Sequence, residues 1–268
     1  MAAGSTALGL VRACHPLPTV AVTLLTAGLV VGAGGGWGQG ALVVAAVLLG
    51  QLVIGWSNDL VDAERDRAVG RQDKPVARGE VPERAVRVAL VVAAAGTIAL
   101  SLSAPSPTGA LHLGLVVGSG LVYNLGLKAT VWSWLPYAVA FGALPAVAWV
   151  GVGAGAPPWW AVAVGSLLGV GAHLLNVLPD LVDDEQTGVR GLPHRLGERL
   201  TRLLAPLLLL AGSVVVVLAP GDPRWWSALV LLVCTGLAVV AWAARGRTPF
   251  VAAVLLALVN VGALVLAG

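Results

Sequence analysis

The chain has 268 residues, of which 58% are hydrophobic and only 11% charged, with a formal net charge of +3. Soluble domains run to about 45–50% apolar and about 25% charged, so a soluble enzyme or a nucleic-acid-binding module is excluded and a chain embedded in lipid is implied. The two cysteines, Cys14 and Cys234, are far apart and lack metal-ligand spacing, so both are expected to be free thiols.

Ahead of the first apolar stretch stand Arg12 and His15, and no small-residue cleavage site follows, so a cleavable leader is not expected. Nine apolar stretches then follow in chain order, near 17–34, 38–57, 84–103, 109–127, 132–152, 159–178, 202–219, 226–243 and 249–267. Each approaches the roughly 20 residues that a helix needs to cross hydrocarbon. Glycine and proline mark the joints, at Gly34-Gly35-Gly36, Pro105-Ser106-Pro107, Pro157-Pro158 and Pro220-Gly221-Asp222-Pro223. Backbone amides in lipid must be satisfied within the segment, so these runs predict helices. Their continuity excludes the short alternating strands of a barrel. The expected fold is all-α, a single transmembrane domain over 1–268 with about nine helices around a central cavity.

With the N-terminus in the cytoplasm, fifteen of the sixteen Lys and Arg residues fall on the inner face, leaving only Arg224 outside. That asymmetry is the positive-inside pattern, and it puts the C-terminus outside. Twelve of the thirteen acids share the inner face. The Ala, Val, Gly, Leu and Arg bias suggests a GC-rich bacterial genome, and hence a multi-pass protein of a bacterial cell membrane.

The second span runs directly into Asn58-Asp59-Leu60-Val61-Asp62-Ala63-Glu64-Arg65-Asp66. Helical spacing stacks Asp62 and Asp66 on one face, with Asn58 a turn earlier and Asp59 beside it. The sixth span ends in Asn176, Asp180, Asp183 and Asp184, where Asp180 and Asp184 repeat the four-residue interval. A shift of 118 residues superposes Asn58, Asp62, Asp66, Gly70, Pro75, Gly79 and Glu80 on Asn176, Asp180, Asp184, Gly188, Pro193, Gly197 and Glu198. These seven polar or turn-forming identities within 23 positions indicate an internal duplication, which places two similar units around one site.

Facing carboxylate clusters suit Mg²⁺, a hard cation that is commonly held by one or two carboxylates, waters and substrate phosphates. The expected metal ligands are Asn58, Asp59, Asp62, Asp66, Asp180, Asp183 and Asp184, and all but Asp183 are candidate catalytic residues. Metal-bound diphosphate is a good leaving group, so a carbon–oxygen bond can ionise to an allylic cation. Arg71, Lys74 and Arg78 after the first cluster, Arg190 and Arg195 after the second, and Lys128 are candidates to contact the diphosphate. Arg245 and Arg247 read as topology signals. Trp56, Tyr123, Asn124, Trp132, Tyr137, Phe141, His173 and Asn176 are candidates to line the substrate cavity, where aromatic faces can stabilise a carbocation. Trp159-Trp160 and Trp225-Trp226 begin spans beside outer loops and read as interfacial belts.

Asn58-Asp59-x-x-Asp62-x-x-x-Asp66 resembles the first signature of the UbiA superfamily of intramembrane prenyltransferases. The stretch from Asp180 and Asp184 through Gly188, Arg190, Leu192-Pro193, Arg195 and Gly197 resembles its second. Lys74-Pro75-x-x-x-Gly79 is similar to the family's Arg-Pro element, with Lys in place of Arg, and Tyr123 to Lys128 is similar to its Tyr…Leu-Lys element. Asp183 departs from the pattern, standing where many members carry glycine, and the chain is short for the family. The resemblance implies nine helices around a cavity, Mg²⁺ as cofactor, and geranyl, farnesyl, geranylgeranyl or longer isoprenyl diphosphate as substrate. It leaves the fate of the cation open between an external acceptor, aromatic or otherwise lipophilic, and self-capture to a cyclic terpene. A membrane scaffold that binds isoprenoid lipids without turnover is the third reading.

Overall fold

The computed structural model describes residues 3–221 and 224–267, and side chains from Thr6 onward to Leu266; Asp222 and Pro223 of the last proline-marked joint lie outside it. Among the described residues there is no strand. The helices are α1 (Ala3–Ala13), α2 (Pro16–Gly32), α3 (Trp37–Ala68), α4 (Glu83–Ser103), α5 (Thr108–Ala110), α6 (Gly118–Asn124), α7 (Leu135–Gly151), α8 (Trp159–Val177), α9 (Leu181–Gln186), α10 (Leu192–Leu218), α11 (Ser227–Ala243) and α12 (Thr248–Ala267). A π-helical segment, Leu111–Val117, joins α5 to α6.

Each of the nine apolar stretches is helical, but they are not nine uniform spans. Trp37–Ala68, Glu83–Ser103, Trp159–Gln186, Leu192–Leu218 and Thr248–Leu266 are long and apolar enough to cross a membrane. Thr6–Ala13 with Pro16–Gly32, bent by 64°, makes a sixth if the pair is one span. Leu135–Gly151 and Ser227–Ala243 are apolar but shorter. The stretch expected over 109–127 is divided among α5, the π-helical segment and α6. Two helices also outrun their apolar stretches: α3 continues to Ala68, and α10 starts at Leu192. Their charged turns fall below any hydropathy threshold; α3 continues as one helix, while α10 is kinked at Gly197.

The helices close into a ring. α3 packs between α2 and α4, α7 against α8, α8 against α10, and α11 against α10 and α12. α12 then returns to α2, so the first and last long helices meet. Apolar cores sit between neighbours, one around Leu174, Leu175, Leu209 and Leu256, and another around Val43, Val47, Val147 and Ala148. Of the paired tryptophans, Trp159 and Trp225 are exposed, as belt residues would be. Trp160 and Trp226 instead pack into the core beside α8 and α10 and do not belong to a belt.

The duplication is visible in the backbone. After Asp66 the chain leaves its helix through Gly70 at φ 68°, with the Arg71 N–H bonded to the Asp66 carbonyl at 2.9 Å. After Asp184 it does so through Gly188 at φ 80°, with the Val189 N–H bonded to the Asp184 carbonyl at 2.8 Å. Both are glycine-terminated helix ends in the left-handed conformation that only glycine adopts cheaply. The equivalent Gly79 and Gly197 match again, at φ 71° and 78°.

Candidate active site

The two helix ends face each other across a polar cavity of about 100 Å³. From α3 it is lined by Asn58, Asp62, Arg65 and Asp66, and from the second unit by Asn176, Asp180 and Asp184. Arg71, Lys74, Lys128, His194 and Arg247 complete the charged wall. Residues more than a hundred positions apart thus meet because each ends a long helix at the same depth.

Most of these carboxylates face cations. Asp62, almost fully buried, accepts from both Lys128 Nζ (2.6 Å to Oδ2) and Asn58 Nδ2 (3.1 Å), and Arg65 Nη2 lies 2.9 Å from it. Arg65 also stands 4.0 Å from Asp66 and 3.9 Å from Asp184, bridging the two clusters. Arg71 pairs with Asp180 at 3.0 Å. Lys74 donates to Asp59 at 2.9 Å and to Asn58 Oδ1 at 3.0 Å. Asp66 Oδ2 is buried and has no hydrogen-bond donor of its own, an acceptor left open at the centre of the site.

Outside the spans, the loop charges respond to this crowding. Burial lowers the Lys128 pKa from its ordinary value, and Asp62 opposes that shift. The Arg71 pKa is raised, chiefly by its hydrogen bonds to Asp73, and the same contact holds Asp73 below the usual carboxylate range. Arg247 reaches Asp73 at 2.6 Å, tying the loop before α12 to the loop after α3.

A second, mostly apolar cavity of about 180 Å³ adjoins the first. The two share His15, Asn58, Tyr123 and Asn176 as walls. Asn124, Tyr137 and Phe141 line the apolar side. Asn124 also fixes the start of the first cluster, since its Oδ1 accepts from Asn58 at 3.2 Å and its Nδ2 donates to the Ile54 carbonyl and to Ser57. Tyr123, Tyr137 and His173 form an edge-to-face and tilted ring cluster, with centroids 4.8–5.8 Å apart. Ser133 Oγ accepts the Leu192 N–H at 2.9 Å and lies within hydrogen-bond distance of His173 Nε2, at 3.1 Å.

Several expected residues fall elsewhere. Arg78 is exposed and pairs with Glu80; Arg190 is exposed and pairs with Glu185; Arg195 is exposed. None of the three lines the polar cavity, since all three side chains are turned to the surface. Asp183, on α9, does not line the cavity. Asp59 is buried behind the wall, where it holds His15 (3.0 Å) and Lys74 instead of facing the opening. Trp132 is exposed, and Trp56 is buried with its indole N–H on the Leu10 carbonyl at 2.9 Å.

Sequence reasoning also missed residues. Arg65 stands inside the first motif, one turn after Asp62, but its charge was counted toward topology, as was that of Arg247. His15 occupies the 64° corner between α1 and α2 in a left-handed conformation, φ 56°. Its place directly before Pro16 was the only available sign. Gln51, two turns before Asn58 on the same face of α3, lines the apolar cavity.

Asn, Asp, Lys and Arg side chains in this arrangement can hold hard cations and a polyanion beside an apolar chamber. Among the described residues no three His, Cys, Asp or Glu side chains converge tightly enough to hold a metal alone.

A sequence profile described as the UbiA prenyltransferase family matches residues 17–262. The bacteriochlorophyll synthase 33 kDa chain of Cereibacter sphaeroides is 32% identical over 187 residues, 66% of this chain and 61% of that one. The match thus spans less than two thirds of that relative's length. A UbiA homolog from Archaeoglobus fulgidus bound to GPP and Mg²⁺ superposes with a TM-score of 0.71 at 15% identity, covering 96% of this chain and 99% of the other. The apo structure of a UbiA homolog from Aeropyrum pernix K1 gives 0.75 at 18% identity, covering 92% and 97%. At such identities these two likenesses establish the fold.

Proposed function

The chain belongs to the UbiA prenyltransferase family, and on that premise we propose that it transfers an isoprenyl group from an isoprenyl diphosphate to a lipophilic acceptor inside the membrane. The observation that carries this reading is the convergence of Asp62, Asp66, Asp180 and Asp184 on one polar cavity that shares four wall residues with an apolar one. The diphosphate takes the polar cavity and the isoprenoid tail the apolar one, so the scissile carbon–oxygen bond lies at the collar formed by His15, Asn58, Tyr123 and Asn176.

Mg²⁺ fits the donor set. The side chains are hard oxygens, and Asp66 Oδ2 is an open buried acceptor. Asp62, Asp66, Asp180 and Asp184 would hold it, with the Asn58 amide oxygen nearby. When bound, Mg²⁺ neutralises the diphosphate and makes it a better leaving group. The chain's own residues do the rest. Lys128, Arg65, Arg71, Lys74 and Arg247 are the cations available to the phosphate oxygens, and binding exchanges their carboxylate partners for phosphate. Tyr123, Tyr137 and His173 turn ring surfaces toward the collar, where they favour positive charge on the prenyl carbon. The apolar wall excludes water, so the cation reaches the acceptor before hydrolysis. The nine helical stretches cross the bilayer, with the carboxylate face and the N-terminus cytoplasmic and the C-terminus outside, as the Lys and Arg distribution favours.

The test is incubation of purified protein with Mg²⁺ and geranyl, farnesyl or geranylgeranyl diphosphate, with and without aromatic acceptors. Pyrophosphate release is followed, and products are identified by mass spectrometry. Acceptor-dependent release of a prenylated product is expected. A cyclic hydrocarbon or alcohol formed without acceptor would replace transfer with cyclisation.

A further inference from the structure

Beyond the chamber assigned to the isoprenoid tail lies a third cavity of about 50 Å³, almost wholly apolar, between α2, α7, α8 and α12. The two chambers share just two wall residues, Phe141 and Leu144. Both are on α7. Tyr137, Phe141 and Leu144 stand at i, i+4 and i+7, on one face of that helix. The face climbs about 10 Å from Tyr137, at the collar, to Leu144. Phe141 is held in place on two sides. Its ring stacks on Tyr137, with centroids 6.2 Å apart and planes 8° from parallel. Its backbone and Cβ press so closely on α8 that a Cβ added at Gly169 would meet Phe141 Cβ at 2.8 Å. The ring is thus a fixed partition with apolar space on both sides.

We propose that Phe141, backed by Leu144, is the floor of the isoprenoid chamber and sets the longest chain that the protein accepts. The proposal rests on the isoprenyl diphosphate reading given above and adds the residue that determines specificity within it. Space behind the floor is already apolar and already present, so removing the ring joins two chambers and needs no new cavity in the core. A longer tail then buries its last isoprene unit where a shorter one gains nothing, so chain-length preference shifts while diphosphate recognition does not. Enlarging the ring has the opposite effect.

The experiment measures binding, so it needs no acceptor. Dissociation constants for geranyl, farnesyl and geranylgeranyl diphosphate are determined with Mg²⁺ for the detergent-purified wild type, Phe141→Ala, Phe141→Leu and Phe141→Trp. In Phe141→Ala the preference for geranylgeranyl over geranyl diphosphate is expected to rise roughly tenfold or more, since several apolar carbons become newly buried. Phe141→Leu moves the same ratio by less, and Phe141→Trp moves it the other way. Phe141→Leu keeps the test open should the alanine variant fail to fold. Equal weakening of all three ligands, with the ratio fixed, would mean that Phe141 only supports the fold, and the proposal would fall while the diphosphate reading stood. Failure of the wild type to bind any of the three would overturn that reading and the floor with it.

Discussion

Asp62 accepts from Lys128 and Asn58 and lies against Arg65, so no single neighbour can replace what it organises. Asp62→Ala and Asp180→Ala are expected to lower Mg²⁺-dependent pyrophosphate release by at least roughly 100-fold while the protein still inserts into membranes. Substantial activity in either variant would refute the site. The basic residues divide by where they point and not by how near they lie in sequence. Arg65 touches three of the carboxylates, and Arg65→Leu is expected to cost at least roughly tenfold in kcat/KM. Arg190 and Arg195 are exposed, and their alanine variants should stay within about twofold of wild type in the same assay. That order reverses what the motif comparison suggests. The types and spacing of the carboxylates were legible because a four-residue interval on a helix has one geometric meaning. Which arginine faces inward was not, because a basic residue beside an inner-face motif reads the same whether it enters the site or only fixes topology.

At the scale of elements, continuous apolar runs were enough to locate each long helix, but not the short helices at Ala3–Ala13 and Leu181–Gln186, since lipid leaves the backbone of a long apolar run no other bonding. Helix ends were less legible. The charged turns of 58–68 remain helical because their carboxylates are paired within the site, whereas the start of α10 is a short helical piece set off from the span by a kink at Gly197. The corner at His15 is marked only by the following Pro16 and the π-helical turn at Leu111–Val117 by nothing, and both escaped the sequence reading. The paired glycines were read as part of a repeat, and the structure supplies their reason. Gly70 and Gly188 reverse the chain shortly after the carboxylates, in a backbone conformation that costs a residue with a Cβ strain. Gly188→Ala should lower stability by about 1 kcal/mol, seen as a reduced Tm in detergent. It should also weaken diphosphate binding, because Asp184 sits four residues before the turn. An unchanged Tm would show that the turn tolerates a side chain.

Across the whole molecule, the site belongs to neither half. Arg71 pairs with Asp180, and Arg65 approaches Asp184, so the ionic contacts run from the first repeat to the second. Mg²⁺ together with an isoprenyl diphosphate should therefore raise the Tm of the entire protein, by mass action on the assembled form. A chelator should abolish the shift, and Asp180→Ala should be insensitive to both. Stabilisation that survives chelation would remove the metal from the site. The same contacts have a meaning for biogenesis. A ribosome adds roughly 5–20 residues per second, so Arg65 and Arg71 emerge roughly 5–25 s before Asp184 and Asp180 exist to meet them. During that interval the two arginines have only first-half partners, such as Asp62 and Asp73, and the contacts that join the two units form last.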